Sequence, residues 1–169
     1  MLVILKIFIL VLIMIICVQI GILKAKSYEN RAVELKKIKS SLEVFRSKIE
    51  FTYEPIRDIF CEISKIIYEE TENIFKNTVK FMDKYDVNNS WNMAVDTNVW
   101  LKNEDKSTIK MFGKLLGKTD KSGQINEINI MSKLLDGLIE KAESENNKNF
   151  KLFKSLGICV GIGICIILM

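Results

Sequence analysis

The sequence has no histidine, a single proline (Pro55) and no pair of cysteines at CxxC spacing. Without imidazole it lacks the commonest general base and the commonest transition-metal ligand. Cys17, Cys159 and Cys165 lie in apolar stretches, where cysteine behaves as a small hydrophobe, and Cys61 has no ligand-spaced neighbour. Neither zinc nor a disulfide framework is therefore read. There is no GxxxxGK[ST] phosphate loop and no GxSxG elbow; "FGKLLGKTD" has its glycines four apart and follows no strand. Carboxylate pairs such as Glu69 with Glu70 and Asp58 with Glu62 are what chance gives at this acidic content, and solvated helix faces account for them. The expectation is a chain with no catalytic site, no cofactor and no metal. A strong charge of one sign is also missing. The acidic residues and all basic ones but Lys6 lie between Lys24 and Lys154, where they nearly cancel, which argues against nucleic acid.

What the sequence does have is two apolar runs around a polar middle. Leu2 to Leu23 carries 17 Leu, Ile, Val or Phe side chains. At roughly −0.3 to −0.6 kcal/mol each near a bilayer centre, they favour insertion by several kcal/mol. Lys6 sits near one end of the run and can snorkel. No small-residue cleavage site follows, since Gly21 leads into Ile22, Leu23 and Lys24, so the run is read as an uncleaved anchor. The run 155–169, "SLGICVGIGICIILM", spans roughly 22 Å as a helix, short of a hydrocarbon core of about 30 Å. Snorkelling by Lys151 and Lys154 and bilayer thinning narrow the gap. Gly157 and Gly161 form a G-x-x-x-G step that permits close packing of membrane helices. Basic residues flank the middle on both sides (Lys24, Lys26 and Arg31; Lys148, Lys151 and Lys154), so the positive-inside rule puts residues 24–154 in the cytoplasm. The expected organisation is a transmembrane helix over 1–23, a cytosolic helical domain over 24–154 and a second transmembrane helix over 155–169.

The middle reads as helix throughout. Leu35, Ile38, Leu42, Phe45 and Ile49 recur at steps of three and four, a narrow stripe on a charged helix. Pro55 predicts the end of that helix and the first turn of the next, which carries Ile56, Ile59, Phe60 and Ile63. A third helix is expected over 71–84. A short one after "DVNNS" follows, with Trp91, Val95 and Trp100 as core filler. Ile109, Phe112 and Leu116 give a further apolar face, ended by Gly117, with Thr119 or Asp120 opening the next helix. From Lys121 the spacing of Ile125, Ile128, Met131, Leu135 and Leu138 predicts one long helix running into the closing apolar stretch.

Taken together, "ELKKIKSSLEVFRSKIEFTYEPIRDIF", the Phe-Gly-x-x-Leu-Gly-x-x-Asp-x-x-x-Gln pattern of "FGKLLGKTDKSGQINEI" and the closing "KNFKLFKSLGICVGIGICIILM" resemble the stage III sporulation protein AB family over essentially the whole chain. The chain departs from that family at "TYEPIRD". The resemblance implies an all-α fold. It would be an antiparallel helical bundle like the platform protein of type II secretion, flanked by the two transmembrane helices. It implies a non-enzymatic component of a secretion-like channel between mother cell and forespore, needed for late forespore gene expression. Its place would be the mother-cell-derived outer forespore membrane, its partner the mother-cell ATPase of the same operon set, stage III sporulation protein AA. A homo-oligomer is compatible with this role. The candidate partner-binding turn is Phe112, Gly113, Gly117, Asp120 and Gln124. The alternative is a membrane-anchored sensor or regulator that pairs with a partner through the coiled-coil-like first helix.

Overall fold

Pro55 separates the first two helices. A proline ring disfavours helical backbone at the residue before it, and α1 (Leu2–Phe51) ends short of it. The Pro55 carbonyl then accepts from the N–H of Asp58 and of Ile59 at 2.9 and 3.2 Å, so the proline heads α2 (Ile56–Tyr68). The computed structural model describes residues 2–52, 54–68, 72–114, 116 and 121–168, and among them every regular element is a helix. The others are α3 (Ile74–Phe81), α4 (Val87–Thr97), α5 (Asn103–Gly113) and α6 (Lys121–Leu168). The all-α class and the single long helix from Lys121 are as the periodicity predicts. Glu69, Glu70, Gly117, Thr119 and Asp120 lie outside the described residues.

The short helices start where side chains can replace missing intrahelical acceptors. Asn73 caps α3 by accepting from the Lys76 N–H at 3.0 Å, while its amide donates to Ser64 Oγ at 2.9 Å. This cap sets the start of α3 at Ile74, inside the predicted 71–84, and the helix closes at Phe81. Asp86 caps α4 through the Asn89 N–H at 3.1 Å, and that bond holds its carboxyl below the usual aspartate range. The carboxylate of Asp105, fully buried, accepts from the Lys102 N–H at 2.9 Å at the start of α5.

The chain forms two compact units, Val33–Ile139 and Met1–Ala32 with Glu140–Met169. In the first, each of α1 to α5 contributes an aromatic ring to a single core cluster, Phe45, Phe60, Phe75, Trp91 and Phe112, and α2 adds Tyr68 beside Phe75. Trp91 touches three of the others, with ring centroids 5.7 Å from Phe60, 5.4 Å from Phe75 and 5.3 Å from Phe112. Its indole N–H donates to the Ile109 carbonyl at 2.9 Å, so the one polar atom of the largest core side chain is satisfied. Leu35, Ile38 and Leu42 are buried beside Phe45, whereas Ile49 is only half-buried. On α6, Ile128, Met131 and Leu135 are buried. Lys39 pairs with Asp136 at 2.5 Å and Ser132 donates to Glu43 at 3.1 Å, so numbers rise on α1 as they fall on α6. One expectation fails: Trp100 is 44% exposed rather than core filler, because it lies beyond the end of α4 in the loop before α5.

Candidate functional site

Of the predicted partner-binding turn, Phe112 and Gly113 are core residues and present nothing to a partner. A Cβ at Gly113 would lie 2.6 Å from Trp91 Cδ1 and 3.1 Å from Asn88 Oδ1, so the glycine is there to let α5 close on α4. The sequence motif holding Phe112 and Gly113 therefore carries packing, which a linear pattern cannot tell from a surface. Gln124 is half-buried and shares a small recess with Phe45, Phe112, Leu116 and Ile128. Gly117 and Asp120 are not among the described residues.

A different surface in the Val33–Ile139 unit has the features of a site. A cleft of about 370 Å³ is lined by Glu34 of α1, by Asn73, Ile74 and Asn77 at and beyond the start of α3, and by the loop after α4. Glu34 is 9% exposed. Its Oε1 accepts from Asn98 Nδ2 at 2.8 Å and from the Tyr68 hydroxyl at 3.5 Å. Asn98 works in both directions. Its own Oδ1 accepts from the backbone N–H of Trp100 and Leu101 at 3.0 and 3.2 Å, fixing the loop in a side-chain-closed turn. Leu101 is buried and anchors the loop, while Val99 and Trp100 point to solvent, 79% and 44% exposed. Behind Glu34, Tyr68 is buried under Lys37, whose ammonium stands 5.2 Å over the ring.

Burial pushes the Glu34 carboxyl above its ordinary value; the Asn98 bond, the Lys37 charge and the Tyr68 bond offset this in part. The phenol of Tyr68 is likewise raised, by its own burial first and by the Glu34 charge second. A carboxyl that binds its proton more tightly folded than unfolded favours the folded state at low pH. That contribution is lost as pH rises from the unfolded value of 4.5 through the higher folded one. Glu34→Gln keeps the acceptor and removes the charge. The variant should therefore melt above the wild type at pH 7, with the difference shrinking as pH falls toward 4.5, as followed by circular dichroism. A variant that melts lower at pH 7 contradicts this placement of Glu34.

The Met1–Ala32 and Glu140–Met169 unit pairs the start of α1 with the end of α6. A Cβ at Gly21 would lie 2.8 Å from the Phe153 carbonyl oxygen, and one at Gly157 would lie 3.0 Å from the Cys17 carbonyl oxygen. The backbones are therefore in direct contact at a Gly21–Gly157 crossing. Gly161 is buried one turn on, against Cys17 Cβ and Met14. Ala25, Ala32 and Ala142 continue the buried small-residue seam. Beyond it Tyr28 stacks on Phe153 with centroids 5.7 Å apart, and Arg31, 2% exposed, pairs with Glu145 at 2.7 Å. The outward faces are apolar: Phe8, Val11, Ile15, Ile20 and Leu23 on α1 and Leu156, Val160 and Ile166 on α6 are all exposed. By length and composition, Phe8–Phe51 is the one candidate membrane span among the described residues. Those residues also contain no group of three acidic or cysteine side chains placed to hold a metal ion.

Neither the Glu34 network nor Gly21 as the partner of Gly157 figures in the sequence reading. Glu34 does stand at helical spacing with Ile38, Ser41 and Phe45, so the stripe itself marks it as inward-facing. The Gly21 pairing joins residues over a hundred positions apart and leaves no local trace.

The comparisons agree with this fold. A curated stage III sporulation protein AB of Bacillus subtilis (strain 168) is 25% identical over 155 residues, covering 88% of this chain and 90% of that protein. A solved structure of a stage III sporulation protein AB superposes with a TM-score of 0.59 at 19% identity, covering 69% of this chain and 96% of that one, a likeness of fold. These relatives carry the name of a sporulation protein and not of an enzyme. The profile of stage III sporulation protein AB matches residues 6–169, and the chain belongs to that family.

Proposed function

We propose that this chain is a non-enzymatic membrane platform of the sporulation channel between mother cell and forespore. Its helical domain would lie in the mother-cell cytoplasm and dock the ATPase of the same operon set, stage III sporulation protein AA. Membership of the family supports the sporulation role. The observation that carries the membrane reading is the Gly21–Gly157 crossing. It joins the second apolar run, backbone to backbone, to a helix that is long and apolar enough to span. Close glycine contacts of this kind bring helices together in lipid, where no hydrophobic force does so. The basic flanks then put the polar domain inside. In this reading both runs cross the outer forespore membrane, and the domain resembles the helical bundle of a type II secretion platform. The competing reading, a regulator that pairs through the α1 stripe, needs that stripe free. Leu35, Ile38, Leu42 and Phe45 are instead at most 1% exposed. The test is co-elution of the purified full-length chain, in detergent, with the purified ATPase. The two are expected to migrate as one complex, and separate elution at micromolar concentrations of both would remove the docking claim.

A further inference from the structure

We propose that the Glu34 cleft receives a lysine or arginine side chain of a partner protein, its charged end on Glu34 Oε2 and its aliphatic stem against Trp100 and Val99. This rests on the reading of the chain as a docking platform and names the chemistry of what docks.

Three observations converge on it. The first is the unequal use of the carboxylate. Both hydrogen bonds to Glu34 arrive at Oε1, and among the described residues none reaches Oε2, although the side chain is nine-tenths buried and lines the cleft. A cation entering the cleft would give that oxygen a charge-assisted donor. Lys37 does not take that place: it acts on Glu34 by its charge and stands over the Tyr68 ring.

The second is the rim. Exposed tryptophan is the side chain that most often dominates protein interfaces. Here it lies next to an exposed valine on a loop that Asn98 and buried Leu101 hold still, so little ordering is left to be done on binding. An indole face also attracts the cation that Glu34 would bind.

The third is charge. Among the described residues the other ionisable side chain on the cleft wall, Glu72, is acidic as well, and its carboxyl lies below the usual range because Lys80 binds it at 2.9 Å. The cleft therefore has acidic and amide walls with an aromatic lip. Lys76 stands 3.5 Å from Glu72 as well, so the carboxylate left for a ligand is Glu34, and a basic side chain beside an apolar residue matches it and the Trp100–Val99 lip.

Ionised Glu34 also lowers the stability of the free domain at neutral pH, a common cost of a residue held ready for a partner.

The experiment places a photocrosslinking phenylalanine analogue at position 100 of the full-length chain in sporulating cells and sequences the crosslinked peptide. The expected product is a protein segment with a lysine or arginine within two residues of the crosslink. A product without a basic residue, or lipid alone, or no product, overturns the proposal. In parallel, affinity for the purified ATPase is measured for the wild type, Trp100→Ala, Glu34→Gln and, as an equally exposed apolar control on α5, Met111→Ala. Trp100→Ala and Glu34→Gln should each weaken binding by about tenfold or more, and Met111→Ala should not. Glu34→Gln should do so while melting at a higher temperature, a combination that a purely structural carboxylate would not give. If the ATPase binds, neither cleft variant alters its affinity and the crosslink reaches no basic segment, the cleft proposal falls and the platform reading stands. If the crosslink reaches a basic segment of another protein, the cleft proposal stands and the ATPase as occupant of the cleft falls.

Discussion

Trp91→Ala is expected to lower the stability of the folded chain by about 3–5 kcal/mol, the range for removing a fully buried large aromatic. Trp91 has no exposed surface, and its ring lies against Phe60, Phe75 and Phe112, contributed by three other helices. Its N–H bond to the Ile109 carbonyl would be lost as well, leaving that acceptor unpaired beyond its helical partner. For a unit of this size each kcal/mol moves the melting point by roughly 4–8 °C, so a drop of roughly 12 °C or more should appear in a thermal scan. The companion variant makes the comparison sharp. Trp100→Ala, at the other tryptophan, removes a rim side chain and should shift stability by no more than about 0.5 kcal/mol. A chain whose two tryptophans behaved alike would not have this core.

Gly157→Leu is the second large effect. A Cβ at that position would already lie 3.0 Å from the Cys17 carbonyl oxygen and 3.2 Å from Gly21 Cα. Both neighbours are backbone, which cannot rotate away, so the two helices must separate. Overpacking of this kind costs about 1–3 kcal/mol in a close-packed core, with a leucine at the upper end. Separation would also loosen the seam that continues past Gly21 through Ala25 and Ala32, where Arg31 meets Glu145. The full-length variant in detergent should melt well below the wild type, and cells carrying it should form fewer spores. Gly163→Ala is the control: nothing lies within 4 Å of its Cβ position, so it should be neutral or slightly stabilising. Equal effects at Gly157 and Gly163 would rule out the crossing.

The elements that were legible in the sequence are those decided locally. The Leu35–Ile38–Leu42–Phe45 stripe lies buried where its spacing places it, α1 stops before Pro55, and α6 runs unbroken through "KAESENNKN", which holds no helix breaker. The errors share a cause. Trp100 follows Trp91 and Val95 in one apolar-looking segment, yet Asn98 ends the helix before it and turns it outward. Gly113 looks like part of a turn motif because a pattern of residue types carries no third dimension; what it accommodates is the Trp91 ring, supplied by another helix. The cleft was hidden for a related reason. It joins Glu34, Asn73 and Asn98, which come from three separated parts of the chain, and each alone looks like a solvated polar residue.

The proposed function requires two apolar helices to cross one membrane with the polar domain on the cytoplasmic face. The direct measurement uses a full-length chain with all four native cysteines replaced by alanine and single cysteines introduced as Met169→Cys or Lys84→Cys. Intact vegetative cells expressing it are treated with a membrane-impermeant maleimide before and after lysis. The account predicts labelling of Met169→Cys in intact cells and of Lys84→Cys only after lysis. Protection of Met169→Cys until lysis, or labelling of Lys84→Cys in intact cells, would contradict it.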